Sequence, residues 1–385
     1  MKRVALFISC DSFEGFYGGT FGLNRETYLT SYRNDFVWEY AEGLKRCGHY
    51  VIIYILSYGE PELRPVSDGL GVRFLPLPLW LRVLDPIMYR LRDTPTGAVL
   101  RARLAYLAYG ASLQAALLED RIDVIYHQEI WTPRFDIIAG KSKVPVVGAD
   151  QGAVYQDWMA PAKRVSMKQA SRVMCQSAIA LDRVRDFGGE AVIMYNGVDT
   201  DFFSPPTSAE PRPKTVLAVG RLVDEQKRFS DLLRAMQLLP DFHLILVGGG
   251  PHEAKLKQLA KELGVSGRVT FTGFVTDRAE LRRLYQECGA FVSTSSWEAV
   301  ALVVLEAMSC AAPIVATRIP SFEDLITDGT DGLLVPVGAP EEVARSIRIV
   351  QERSWEFGNN ARNTVVERYA SRTLYSRLSA LFETI

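Results

Sequence analysis

At 385 residues the chain is longer than one ordinary core supports, so two domains of similar size are expected. Hydrophobic residues make up 48% and charged residues 23%, which excludes disorder, and a net charge of −1 supplies no global field for nucleic acid. No segment has the apolar length to span a bilayer, and the five cysteines (Cys10, Cys47, Cys175, Cys288, Cys310) lack metal-ligand spacing, so buried thiols in a reducing, cytoplasmic setting are expected.

Residues 1–10 have the outline of a signal peptide, but Asp11 follows the apolar run with no small-residue cleavage site, and a first buried strand is the better reading. A glycine loop (Gly15, Gly18, Gly19), a helix over about 34–46, Gly48 and a strand over 51–56 complete a Rossmann-like opening. Gly18-Gly19 either lets backbone approach a ligand or is a plain flexible loop. Residues 21–33 read as a long loop able to form part of an acceptor pocket. Six arginines against Asp85 and Asp93 mark the apolar window 73–103. That window reads either as core helices with solvated arginines, broken by Pro86 and Pro95, or as a membrane-surface patch over 79–103. Further strands are expected at 122–127, 144–148, 170–176 and 192–195. His127, Asp150 and Gln151 fall near the C-terminal strand edge, where doubly wound sheets bind ligands.

A Pro- and Ser-containing stretch after Tyr195 reads as a linker over 197–213, dividing a domain of residues 1–196 from one of 214–365. Asp199-Thr200-Asp201 mimics a metal-binding Asp-x-Asp, but its place in a linker makes turn chemistry the expectation, with no metal. Alternating strands and helices then run from 215 to 351, with strands at 215–219, 243–247, 269–272, 290–293, 313–316 and 332–335. Gly220-Arg221-Leu222 and Lys227 follow the first of these strands, and a cation pair there can neutralise a diphosphate. Gly248-Gly249-Gly250 permits close backbone approach, although Glu253 breaks a Gly-x-Gly-x-x-Gly frame. Glu298 and Glu306 stand eight positions apart around a helix start. Two carboxylates that accept hydroxyl donors, flanking free backbone N–H groups, suit a sugar nucleotide.

The E-x7-E pair with Glu306-Ala307-Met308, the Gly220-Arg221-Leu222-x4-Lys227 run and the Asn196-Gly197-Val198-Asp199 crossover resemble retaining glycosyltransferases of the GT-B fold, family 4 type. The resemblance implies two Rossmann-like domains facing each other across a cleft, the first binding the acceptor and the second the donor, with a final helix (366–385) folding back on the first. It makes Arg221 and Lys227 the diphosphate cations and Glu298 the contact to the donor sugar. It gives Glu306 the ribose, and puts Gly19, Gly248, Gly249, Val275, Ala301 and Leu302 around the donor. His127, Asp150 and Gln151 are its acceptor or sugar-contact candidates. The implied reaction moves a sugar from a nucleoside diphosphate sugar, a UDP-sugar by family habit, to a saccharide or lipid-linked hydroxyl, as in polysaccharide assembly. Retention is implied, with no metal or cofactor and with the leaving phosphate taking the acceptor proton. Ala301 and Ala311 replace family glycines, and Asp150-Gln151 stand where the family often has a histidine. A nucleotide-sugar epimerase or sugar phosphorylase on this fold, and a catalytically silent sugar-nucleotide-binding module, are the alternatives.

Overall fold

Short β-branched runs alternating with helices build two parallel sheets in this computed structural model, which describes the chain except for residues 9–11, 20–21, 33–35, 82, 84–94, 153–154, 208–211 and 299–301. The chain divides into two compact units, one of Met1–Tyr195 with Leu374–Ile385 and one of Asn196–Thr373.

The first unit holds β1 (Arg3–Phe7), β2 (Tyr50–Ser57), β3 (Glu62–Ser67), β4 (Leu70–Pro76), β5 (Val124–Gln128), β6 (Val146–Ala149), β7 (Arg172–Cys175) and β8 (Ala191–Ile193). Their order is β3-β4-β2-β1-β5-β6-β7-β8, parallel except for the β3–β4 hairpin. Pro65 is tolerated because β3 is an edge strand, whose pairing already slips between Pro65 and Ser67. The hairpin corrects the expectation of helices with solvated arginines from residue 73 onward. β4 is buried along nearly its whole length, and Arg73 on it is buried too. Its guanidinium binds Asp120, with Nε 2.7 Å from Oδ2, and the Tyr54 hydroxyl reaches the same oxygen at 2.5 Å. A buried ion pair with these added hydrogen bonds is structural chemistry, and it removes Arg73 from any surface patch. Pro95 opens the helix Pro95–Glu119 instead of breaking one, since a first-turn proline forfeits no helical hydrogen bond. Residues 84–94 lie outside the described part. Leu79, Trp80, Val83, Leu100 and Leu107 are exposed, and among the described residues no helix is long and apolar enough to cross a membrane.

The second unit holds β9 (Thr215–Val219), β10 (His243–Val247), β11 (Val269–Gly273), β12 (Ala290–Ser293), β13 (Ile314–Thr317) and β14 (Leu333–Val335), all parallel in the order β11-β10-β9-β12-β13-β14. The chain builds outward from β9 through β10 to β11, then returns to the other side of β9 as β12. That reversal leaves a crevice at the C-terminal ends of β9 and β12, where such sheets take their ligands.

Residues 198–203, at the start of the stretch expected as a linker, pack into the second unit. Val198 bridges to Ala370, and Arg362 donates to the carbonyls of Thr200 and Phe203, each at 2.9 Å. Asp199 makes an Asx turn, its Oδ1 accepting from the N–H groups of Asp201 (3.1 Å) and Phe202 (3.0 Å). The last helix, Ser371–Glu383, begins in the second unit and then sends Leu374, Tyr375, Leu378 and Phe382 into the core of the first.

Candidate active site

The sharpest cluster sits at the crevice between β9 and β12. The loop after β9 runs through Gly220, Arg221 and a short helix, Asp224–Lys227. The loop after β12 is tied to it at several points. The Thr294 hydroxyl donates to the carbonyls of Lys227 (2.8 Å) and Arg228 (3.0 Å), and the Ser296 N–H donates to the Gln226 carbonyl at 2.8 Å. Thr317, at the end of β13, donates to the Ser295 carbonyl at 2.5 Å. These bonds hold the chain leading to Glu298 against the turn that carries Lys227. Arg228 adopts a left-handed conformation (φ 49°), a strained backbone at the lip of the crevice.

Lys227 and Glu298 meet. The ammonium donates to Glu298 Oε1 at 2.5 Å, and the Ser295 hydroxyl donates to the same oxygen, also at 2.5 Å. The Glu298 side chain is only 8% exposed and that of Lys227 16%, so solvent screens the pair little. Oε2 receives no donor among the described residues. The Lys227 stem lies over Gly220, where a Cβ would come 3.3 Å from its Cε. Arg221, one residue on, is exposed and pairs with no carboxylate among the described residues.

The glycines after β10 divide by role. Gly248 has φ +132°, and a Cβ there would lie 2.0 Å from the Gly220 carbonyl oxygen, so only glycine fits. Gly250 is hemmed in by Leu222 backbone at 2.7 Å. A Cβ on Gly249 would meet no atom within 4 Å, so the packing gives no reason for glycine there, and the open space is on offer to a ligand. Val275 follows β11 and is half-buried beside the exposed Phe274.

The helix Leu302–Ser309 starts just beyond residues 299–301, so Ala301 lies outside the described residues. Leu302 opens the helix and Glu306 stands one turn along it. Tyr285, buried on the helix Arg278–Glu287, donates its hydroxyl to Glu306 Oε2 at 2.8 Å. Burial pushes the Glu306 carboxyl up to about 7, opposed by the Tyr285 hydrogen bond and the Arg278 charge. Ala311, the family glycine's replacement, has φ +56° as the left-handed residue of a Schellman motif, with N–H bonds from Ala311 to the Met308 carbonyl (3.0 Å) and from Ala312 to that of Ala307 (2.9 Å).

The remaining candidates lie in the first unit. Gly19 is exposed and right-handed (φ −74°), capping a short π-helix, Glu14–Gly18, where a glycine loop was expected. The expected long loop that follows contains the helix Arg25–Thr30, capped by Asn24. His127 is fully buried, stacked on Phe7 and edge-on to Phe135, and burial pushes its imidazole down to about 3. In this conformation it is packed as a core residue. Asp150 is buried at the end of β6, its Oδ1 accepting from the Trp131 indole and the Gly152 N–H, each at 3.1 Å, and burial raises its carboxyl. Gln151 lies against the Tyr40 and Tyr126 hydroxyls. Sequence reasoning missed Ser295 and Tyr285, the partners of the two glutamates. Ser295 was signalled by its place in Ser295-Ser296-Trp297-Glu298. Tyr285 carried no signal beyond an apolar helix position.

Residues 199–365 match the family model of glycosyl transferases group 1, and residues 34–202 that of glycosyltransferase family 4. The chain belongs to the family 4 glycosyltransferases. Among relatives, it is 29% identical over 377 residues to a phosphatidyl-myo-inositol mannosyltransferase of Mycobacterium tuberculosis, covering 91% of this chain and 92% of that one. It is 32% identical over 205 residues to the lipopolysaccharide core biosynthesis glycosyltransferase LpsE of Rhizobium meliloti, spanning half of this chain but only 58% of that protein. Among solved structures, Anabaena HepE in complex with UDP and glucose superposes with a TM-score of 0.70 at 17% identity, over 100% of both chains. The fold is GT-B, two parallel-sheet α/β units of the kind this family shares. Among the described residues no group of three His, Cys, Asp or Glu is placed to hold a metal ion.

Proposed function

We propose that this chain transfers a sugar from a nucleoside diphosphate sugar, a UDP-sugar, to a hydroxyl of a saccharide or lipid-linked acceptor, with retention at the anomeric carbon. The observation that carries the reading is the Lys227–Glu298 pair at the switch point of the second sheet, with the exposed Arg221 on the same loop as Lys227. Lys227 turns from Glu298 to the diphosphate, and Arg221 closes on the same group, while Glu298 accepts hydrogen bonds from the sugar hydroxyls and Glu306 from the ribose. The positive charges of Lys227 and Arg221, set against the departing diphosphate, stabilise the developing anion, and the scheme calls for no metal. The C1–O bond to phosphate breaks as the acceptor oxygen bonds to C1 on the same face, and the leaving phosphate takes the acceptor's proton.

The UDP bound to HepE and the mannosyltransferase and lipopolysaccharide names of the relatives support this class of donor and acceptor. An acceptor held at a lipid surface is supported by the exposed Leu79, Trp80 and Val83 and by Leu100, Arg103 and Leu107 on the outer side of the helix Pro95–Glu119. A panel of UDP-, GDP- and ADP-sugars screened by thermal shift, followed by proton NMR of the transferred sugar, tests the reading. A melting-temperature rise with UDP-sugars and a product of unchanged anomeric configuration are expected. Inversion, or no transfer to any saccharide or lipid-linked acceptor, contradicts it.

A further inference from the structure

We infer that Tyr285 is the positioning residue of the donor site: its hydroxyl takes one oxygen of Glu306, fixes the carboxylate, and leaves the other oxygen for the diol of a nucleoside diphosphate sugar. The inference rests on the donor reading above and goes beyond it by naming what governs the charge of Glu306. The tyrosine ring is fully buried, packed edge-on to Phe203 and Phe291 with centroids 6.0 and 5.7 Å away, so the hydroxyl has one fixed place. It stands 2.8 Å from Glu306 Oε2, and Oε1 receives no hydrogen bond from the described residues.

Both helices are anchored from behind. Arg212 donates to the carbonyls of Gln286 (2.8 Å) and Cys288 (2.9 Å) at the end of the tyrosine's helix, and to that of Ala311 (2.7 Å) after the glutamate's helix. One guanidinium therefore sets the spacing of the two residues that share the bond.

The chemical consequence concerns protonation. A carboxylate that accepts ribose hydroxyls must be ionised, and burial opposes ionisation at Glu306. The other groups facing it are Arg278, whose charge favours the carboxylate, and the thiols of Cys310 and, behind it, Cys288. Burial holds both thiols high, so they stay neutral through the physiological range. Burial and the Glu306 charge keep the Tyr285 hydroxyl well above its ordinary range, so it remains a donor throughout. A neutral donor aimed at the ionised form stabilises that form, so Tyr285 lowers the pH at which the donor site becomes competent.

Calorimetric titration of the full chain with UDP-glucose or GDP-mannose, whichever binds more tightly, from about pH 5.5 to 8.5 tests this. Wild-type affinity should rise through about pH 7 with a slope approaching one proton. Tyr285→Phe should move that midpoint up by roughly one unit, weakening binding about tenfold at low pH, with affinity within about threefold of wild type at the alkaline limit. Glu306→Gln should flatten Glu306's share of the profile. 3-Fluorotyrosine at position 285, nearly isosteric and a stronger donor, should move the midpoint down, and it serves if Tyr285→Phe does not fold. An unmoved midpoint, or an equal loss of affinity at every pH, overturns the positioning role while leaving the donor reading standing. Absence of binding by either sugar nucleotide, or wild-type affinity in Glu306→Gln at every pH, overturns both.

Discussion

In the proposed reaction, Glu298 is the residue on which most of the chemistry turns. Its Oε1 already accepts from Lys227 and Ser295, so the side chain is aligned before any ligand arrives. Two charge-assisted bonds to sugar hydroxyls, each contributing about 1.5–3 kcal/mol, put the cost of Glu298→Ala at roughly two to four orders of magnitude in kcat/KM. Near-normal turnover by a folded Glu298→Ala protein refutes the role. Two other titrating residues pull stability in opposite directions. His127 is held neutral with its folded value depressed to about 3 from 6.5, so its contribution is present above pH 6.5 and lost as pH falls toward 3. Glu306 is raised from 4.5 to about 7, so its neutral form favours the fold below 4.5, and that advantage disappears as pH rises through 7. Urea unfolding of Glu306→Gln against wild type should therefore show a difference that grows between pH 4.5 and 7 in favour of the variant. A constant difference across that window contradicts the assignment.

At the scale of elements, the helix Leu302–Ser309 ends on a left-handed alanine. A β-carbon in that conformation costs about 1–2 kcal/mol, partly offset by glycine's greater freedom in the unfolded chain. Ala311→Gly should raise stability by about 0.5–1 kcal/mol, read by urea unfolding, and a clear loss would mean that its buried methyl packs for more than it strains. Arg212 carries the opposite expectation. It satisfies carbonyls at the ends of two helices, so Arg212→Ala should cost about 2–4 kcal/mol and weaken donor binding, because Tyr285 and Glu306 lose their common anchor. Much of the second sheet was legible in the sequence for a physical reason. Its strands are short β-branched runs bounded by glycine turns, and β9, β10 and β12 stand where periodicity placed them. β4 was not legible: a strand buried on both faces has no alternation, and an arginine and a proline in Leu-Gly-Val-Arg-Phe-Leu-Pro hide it. The helix Ser354–Arg368 also went unread, since Gly358 interrupts it and Asn359 and Asn360 weaken its propensity. At the site, charged residues at strand ends announce themselves, whereas a buried tyrosine on a helix looks like core until its hydroxyl is seen against a carboxylate.

For the whole molecule, the consequential feature is a chain that leaves the first unit and returns to it. Leu374, Tyr375, Leu378 and Phe382 are buried in the first unit's core, and Gly43 leaves room for the Tyr375 ring, which a Cβ would meet at 2.2 Å. Four large apolar side chains contribute about 6–12 kcal/mol together, comparable to the net stability of a domain. Deleting residues 374–385 should unfold the first unit while the second, with its own core around β9, β10 and β12, keeps a cooperative transition. Calorimetric scanning would show one lost transition, and two intact transitions would contradict this division. The central claim is narrower than the fold: one sugar nucleotide engages Lys227, Glu298 and Glu306 together. Calorimetric titration of UDP-glucose and GDP-mannose into wild type, Lys227→Ala, Glu298→Ala and Glu306→Gln at pH 8 measures it most directly. The account predicts saturable binding of one of them by wild type and at least a roughly tenfold loss in each variant. Wild-type affinity in any of the three variants, or no binding of either nucleotide to the intact chain, would contradict it.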